Sequence, residues 1–238
     1  MHKTLLIIPA YNEEANIYKT IQSIERYNNK HKASFDYIVI NDGSTDGTEK
    51  VLVDNSIPHI SHPKNRGIGF AVQSGYKYAL KNKYEFAVQF DGDNQHDVAF
   101  VEKIISPLRE GTADLVIGSR FVSKDAKNDN FQSSFARRIG IKLISQVIKL
   151  KTGFRIYDAT SGFRAVNRAT IKLFAKHYPE KYPEPISTAE LIQNGGAISE
   201  VPVRMKARDG GKSSIHGFKN VAYMLEVIPA ILFLPKTK

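Results

Sequence analysis

The chain contains no cysteine among its 238 residues. Disulfides, thiolate metal sites and cysteine nucleophiles are therefore excluded, and the composition fits a reducing compartment. No stretch approaches the roughly 18 uninterrupted apolar residues that suggest a spanning helix. The start, Met1-His2-Lys3-Thr4, runs straight into Leu5-Leu6-Ile7-Ile8-Pro9. That apolar run is too short for the core of a signal peptide, so none is expected. The first strand lacks Gly-x-Gly-x-x-Gly, and no Gly-x-x-x-x-Gly-Lys occurs, which argues against a dinucleotide fingerprint and a P-loop. Acidic residues are outnumbered, 24 against 34 Lys and Arg, for a net charge of +10. That excess suggests a polyanionic partner: nucleic acid, anionic lipid or a phosphorylated substrate. Aromatic-rich basic stripes and zinc or helix-turn-helix signatures are missing, so nucleic acid is not the expected partner.

What is present is a βα rhythm. Apolar runs at 4–8, 37–40, 57–60, 86–90 and 114–117 read as strands, separated by segments with helical spacing such as Ile17, Ile21 and Ile24. The pattern predicts an α/β fold with a mostly parallel sheet and helices on both faces. In such a sheet the loops after the strands, Tyr11–Glu14, Asp42–Thr48 and Asp91–Asp97, lie along one rim, where ligands bind.

The third loop is the most informative. The run Phe86–Phe90 stops at Asp91-Gly92-Asp93-Asn94-Gln95-His96-Asp97. Two carboxylates one residue apart repel unless a hard cation lies between them, and Mg²⁺ or Mn²⁺ shared with substrate phosphates suits that donor set. The same residues also suit a polar turn with a capping Asp.

Past Gly118 the rhythm breaks. Residues 123–135 are polar and read as a loop, and 136–151 as a basic helix. On that helix Ile139, Leu143, Ile144, Val147 and Ile148 form an apolar face from which Arg138, Lys142 and Lys149 fall away. Such a helix can lie in a membrane interface, or it can pack on the core. Val221–Leu234 is apolar apart from Glu226, is broken by Pro229, and is flanked by Lys219, Lys236 and Lys238. At 14 residues it is short for spanning and suits a bilayer surface, a partner's helices or a C-terminal helix that completes the core.

The motifs in order are Ile8-Pro9-Ala10-Tyr11-Asn12-Glu13-Glu14, Val39-Ile40-Asn41-Asp42-Gly43-Ser44-Thr45-Asp46, Asn65-Arg66-Gly67-Ile68-Gly69 and Phe90-Asp91-Gly92-Asp93. They continue with Gly118-Ser119-Arg120, Asp158 through Arg164, Glu200-Val201-Pro202-Val203-Arg204 and Arg208-Asp209-Gly210-Gly211-Lys212. This set, over roughly residues 4–216, resembles family 2 inverting glycosyltransferases of GT-A fold. Within them it is similar to the polyprenyl-phosphate branch, the relatives of dolichol-phosphate mannose synthase.

The resemblance implies metal-dependent, inverting transfer of a hexose or N-acetylhexosamine from an NDP-sugar, with UDP favoured, to a polyprenyl phosphate. It implies that Pro9, Tyr11, Glu13, Asp42, Asp91, Gly92 and Asp93 hold the nucleotide sugar. Asp91, Asp93 and Gln95 would ligate Mg²⁺ or Mn²⁺. Arg120, one of Arg137 and Arg138, Arg208 and Lys212 would face the acceptor phosphate. Asp93 and Asp158 are the expected catalytic residues, and Asp158, Glu184 and Glu190 are candidate bases for an alcohol acceptor. Ile186 stands where relatives often carry a second acidic residue, and Ser214 where dolichol-phosphate mannose synthases tend to have lysine. The expected organisation is a glycosyltransferase domain over 1–215 and a membrane-proximal or partner-binding segment over 216–238. The protein would be peripheral on the cytoplasmic face of the cell membrane, held by anionic lipid or a small membrane protein, with a homo-oligomer open. The competing expectations are transfer to a sugar hydroxyl in cell-surface polysaccharide synthesis and, more distantly, a basic nucleic-acid-binding module.

Overall fold

The computed structural model describes residues 3–122, 135–205 and 218–235. Seven strands form one sheet: β1 (Thr4–Ala10), β2 (Phe35–Asn41), β3 (His59–Ser61), β4 (Phe86–Gln89), β5 (Leu115–Ser119), β6 (Arg164–Asn167) and β7 (Ile198–Pro202). Their order is β3-β2-β1-β4-β6-β5-β7. All neighbours are parallel except β6, which runs antiparallel to both β4 and β5. The expected α/β class with a mostly parallel sheet is borne out. β6 was not legible as a strand: it is four residues long and opens on an arginine.

The helices are α1 (Ile17–His31), α2 (Thr48–Asp54), α3 (Ile68–Lys81), α4 (Val101–Arg109, preceded by a 3₁₀ turn at Val98–Phe100), α5 (Phe135–Thr152), α6 (Arg168–Lys176), α7 (Pro183–Gln193) and α8 (Phe218–Leu232). β1 shows why both faces are covered. Leu5 and Ile7 enter one core with residues of α3, α5, α6, α7 and α8, while Leu6 and Ile8 enter the other with residues of α1, α2 and α4. Alternate side chains point to opposite faces, so a strand buried on both sides must be apolar throughout.

The connections determine where a ligand can sit. From β1 the chain moves outward through β2 to β3, then returns to place β4 on the other side of β1. The β1/β4 boundary is therefore a topological switch point, and the crevice beyond the carboxyl ends of such strands is the usual ligand site of an open α/β sheet. Because β5 is parallel to β4 through the intervening β6, the segment after Ser119 emerges at the same rim.

The basic helix differs from expectation in which face it buries. Ile144, Val147 and Ile148 are buried together with Ile141, whereas Ile139 and Leu143 are exposed, and Leu150 is 80% exposed. The apolar surface of α5 is wider than one contact covers, so a second stripe is left over. α8 packs alongside. A Cβ on Gly140 would lie 2.2 Å from the Met224 Cε, and Lys151 Nζ donates to the Leu232 carbonyl at 2.8 Å, so the two helices run in the same direction. Val227, Ile231 and Leu234 belong to the main core cluster. The expected boundary at 215/216 falls outside the described residues.

Ile148→Ala is expected to cost about 2–5 kcal/mol of unfolding free energy, and Leu150→Ala no more than about 0.5 kcal/mol. Urea denaturation of the two variants checks the assignment, and equal losses would contradict it.

Candidate functional site

Two of the rim loops, after β1 and after β2, are knitted together by their own polar groups. The amide of Asn12 donates to Ser44 Oγ (3.0 Å), that of Glu13 to Thr48 Oγ1 (2.9 Å), that of Thr45 to Asn12 Oδ1 (2.8 Å) and that of Gly47 to Glu14 Oε2 (3.0 Å). Asp46 accepts from the amides of Thr48 and Glu14 and so joins the start of α2 to the loop after β1. Gly43, at φ +67°, is required here: a Cβ would come within 2.4 Å of the Lys64 backbone. Between these loops lies a cleft of about 400 Å³ whose lining includes Tyr11, Asn41, Glu49, His62 and Lys64.

Of the residues expected to hold a nucleotide, Tyr11 lines this cleft. Asp42 is buried beneath it, and its carboxylate accepts from His62 Nδ1 (2.7 Å) and from the amides of Arg66 (3.1 Å) and Gly67 (2.7 Å). It therefore shapes the cleft wall by fixing the 62–67 turn. Glu13 Oε2 accepts from Asn16, and Pro9 is buried within β1, its carbonyl backing Gly92.

The carboxylate pair follows β4, at the switch point. Gly92 is buried, and its carbonyl accepts from Thr20 Oγ1 of α1 at 3.0 Å. Asp93 Oδ1 accepts from the Gln95 amide at 3.1 Å. Asp91 Oδ2 faces His96 Nε2 at 3.1 Å. Burial pushes the Asp91 carboxyl up, but the His96 hydrogen bond and charge, a Gln89 hydrogen bond and the Arg120 charge together hold it below the usual range. Among the described residues no group of three His, Asp or Glu side chains is placed to hold a metal alone. The donor set nevertheless fits a hard ion, because Mg²⁺ and related ions commonly take one or two carboxylates and complete their shell with substrate phosphates and water.

Arg120 and Asp158, expected as separate reacting groups, are brought together. Arg120 Nε and Nη2 donate to the two Asp158 oxygens at 2.7 Å each, and the Arg120 amide adds a bond at 3.0 Å. Asp158 is fully buried and Arg120 nearly so. Burial works against the guanidinium's charge, but Asp158 outweighs it, and the Asp91 charge adds to the same effect. Glu200 in turn fixes the Asp158 turn, accepting from the amides of Tyr157 (2.7 Å) and Asp158 (2.9 Å). Arg138 is exposed on α5, the Gln95 side chain is partly buried, Arg208 and Lys212 lie outside the described residues, and Arg137 is described only as part of α5.

His96 and Gln89 carried no role in the sequence reading, and Arg164 only a place in the turn that the resemblance puts near the acceptor and the sugar. His96 was visible in the motif beside Gln95, but nothing local showed that it turns back onto Asp91. Arg164 is fully buried, and its guanidinium donates to the carbonyls of Ser161 and Glu184. It thereby ties the Asp158 turn to the start of α7. Gln89 donates to Glu184 Oε1 at 3.3 Å. Burial pushes the Glu184 carboxyl up, and the Asp91 charge adds to this against the opposing Arg164.

A mostly parallel α/β sheet with paired carboxylates at its switch point, beside a polar cleft, agrees with the expected glycosyltransferase of GT-A architecture. The chain belongs to Glycosyl transferase family 2, whose profile matches residues 5–171. Among curated relatives, UDP-N-acetylglucosamine--dolichyl-phosphate N-acetylglucosaminyltransferase of Methanococcus voltae is 30% identical over 219 residues, 84% of each chain. Polyprenol monophosphomannose synthase of Mycolicibacterium smegmatis is 30% identical over 226 residues, 90% of this chain and 82% of that protein. Glucosyl-3-phosphoglycerate synthase of Mycobacterium tuberculosis, solved with Mn²⁺, UDP and glucosyl-3-phosphoglycerate, superposes with a TM-score of 0.69 at 20% identity. That alignment covers 97% of this chain and 79% of that one. At that identity the likeness speaks to the fold.

Asp158→Asn should cost about 3–5 kcal/mol, because it removes the counter-charge of a buried guanidinium. A urea midpoint unchanged from the parent protein would contradict the pairing. Glu184→Gln tests the partly buried carboxyl by pH. A raised folded-state pKa means that the side chain's stability contribution is complete below the ordinary glutamate range and is lost as pH rises through the raised value. The variant should therefore match the parent's Tm near pH 4 and gain on it toward neutrality; a constant difference would contradict the assignment.

Proposed function

We propose that this chain transfers a hexose or N-acetylhexosamine, with inversion, from an NDP-sugar, UDP-linked by preference, to a polyprenyl phosphate at the cytoplasmic face of a membrane. The observation that carries the reading is the carboxylate pair at the β1/β4 switch point, on the rim that also bears the Tyr11-lined cleft. The acceptor class follows the two relatives named as acting on dolichyl or polyprenol phosphates.

In this reading the nucleoside occupies the cleft against Tyr11, with Asp42 holding the turn that walls it. Asp91, Asp93 and Gln95 would hold Mg²⁺ or Mn²⁺, an ion that neutralises the charge developing on a departing diphosphate. Asp91 is hydrogen-bonded before any ligand arrives, so little reorganisation is needed when charge develops beside it. Arg120, kept charged and aimed by Asp158, directs a planar cation to the phosphate side of the site. Asp158 thus enters as the partner that orients Arg120 and not as a proton acceptor. A phosphate monoester oxygen is already anionic near neutral pH, so the chain's task toward it is positioning.

The membrane side of the proposal rests on α5 and α8. Ile139, Leu143, Leu150, Leu225 and Phe233 are exposed, and Arg138, Lys142 and Lys149 accompany them on α5. Basic residues near an anionic surface contribute about 1 kcal/mol each. Among the described residues no helix is long and apolar enough to cross a membrane, so contact is read as peripheral, through this face. A second reading, transfer to a sugar hydroxyl, is favoured by Glu184, a partly buried carboxyl with a raised pKa on the Asp91 side of α7. An alcohol acceptor needs such a base within reach.

Radiolabelled UDP-sugars offered with polyprenyl phosphate alone should give a product that partitions into organic solvent and is cleaved by mild acid. Asp93→Asn should lower its formation at least 100-fold, as should a chelator. Product formed only with a sugar acceptor would select the hydroxyl reading, and chelator-insensitive turnover by Asp93→Asn would overturn both.

A further inference from the structure

His96 carries a role that the transfer reading leaves unassigned. It is 2% exposed, deep for an imidazole beside a polar loop. Its ring stacks on Phe163, with centroids 4.7 Å apart and planes 23° from parallel, and meets the Phe90 ring edge-on at 5.5 Å. These contacts fix the plane of the ring. Within that plane Nε2 points at Asp91 Oδ2 from 3.1 Å, while Nδ1 is buried and makes no hydrogen bond to any of the described residues. A nitrogen facing a carboxylate carries the proton, in the neutral ring as in the charged one, so Nε2–H donates in either state. The interaction does not depend on titration of the histidine.

A second side of Asp91 is closed as well, while about a third of the side chain stays exposed, 34%. A Cβ on Gly162 would lie 2.9 Å from Asp91 Oδ2 and 3.1 Å from Oδ1, so only glycine lets the 161–164 turn approach this closely. Gln89 contributes a hydrogen bond. Asp91 has a donor on a rigid ring and a backbone wall behind it, whereas Asp93 sits on the turn two residues further on, with Asn94 at φ 61° between it and Gln95.

We infer that His96 is the positioning residue for the proposed cation site, holding the Asp91 carboxylate so that its remaining lone pairs face the rim. The Phe90 and Phe163 rings supply the rigidity, and the Nε2–H bond supplies the direction. Groups that orient a ligating side chain typically change metal affinity 10–100-fold when removed. This rests on the reading of Asp91 and Asp93 as cation ligands, so its test must separate the two.

The experiment is Mn²⁺ titration followed by electron paramagnetic resonance of the full-length protein, with and without UDP, on the parent, Asp93→Asn, His96→Phe, His96→Gln and His96→Asn. Phenylalanine keeps the ring contacts and removes the donor, glutamine carries an amide nitrogen to about the place of Nε2, and asparagine stops short. The expected result is Mn²⁺ binding by the parent, its loss in Asp93→Asn, a 10–100-fold weaker dissociation constant in His96→Phe and His96→Asn, and recovery to within about threefold of the parent in His96→Gln. Equal Mn²⁺ affinity in the parent and a folded His96→Phe overturns the inference and leaves the cation site standing. Should His96→Phe fail to fold, the glutamine and asparagine variants decide, and equal affinities in those two overturn it. A parent protein that binds no Mn²⁺ with or without UDP overturns the cation reading itself, and the role of His96 with it.

Discussion

Asp91 leaves a buried strand at the rim of the sheet, where the His96 hydrogen bond and the Arg120 charge keep its carboxyl low although burial pushes it up, and a second carboxylate, Asp93, follows one residue later. β4 carries Asp91 out of a sheet covered on both faces, Gly162 and His96 close in behind it, and α1 holds the intervening Gly92 carbonyl through Thr20. The loop can neither swing away nor bury its charge. Two carboxylates held at a rim are the donor set that the proposed function assigns to a divalent cation. Arg120 stays charged close by, and the cleft beneath Tyr11 opens on the same side.

The polar skeleton divides into groups that hold and groups left to act. Asp42, Asp158, Glu200 and Arg164 are chemically capable side chains whose hydrogen bonds are spent on the protein's own loops. Asp42 fixes the 62–67 turn, Glu200 fixes the Asp158 turn, Asp158 aims Arg120, and Arg164 ties that turn to α7. Buried polar groups that are fully paired make a site rigid; one left half-paired would weaken it. The families of loops on this rim are thereby held in one arrangement before any ligand arrives, which is the electrostatic preorganisation that a group-transfer site requires.

Much of this was legible in the sequence because parallel strands buried on both faces are continuous apolar runs. Phe86–Phe90 ending at Asp91 was such a run, and the loops after β1, β2 and β4 emerge together as the βα rhythm required. The α/β class and membership of the glycosyltransferase family followed from the same motifs. Contacts between distant segments were not legible. β6 is short and begins with Arg164, whose burial depends on carbonyls contributed by other turns. The pairing of Arg120 with Asp158 spans 38 positions, so a residue-type argument saw two reactive groups where the fold makes one unit. On α5 the apolar positions cover too much of the helix for periodicity to say which stripe α8 and the core would take. His96 stood in the motif, yet its direction is set by Phe163, far along the chain.

The central claim is that Asp91 and Asp93 together grip a divalent ion against a nucleotide-sugar diphosphate. Anomalous diffraction from crystals soaked with Mn²⁺ and UDP tests it most directly. The account predicts one strong manganese peak bridging the two carboxylates and the diphosphate oxygens, with the uracil ring in the cleft beside Tyr11. UDP bound in that cleft with no manganese at the carboxylates, or manganese held elsewhere on the protein, would contradict it.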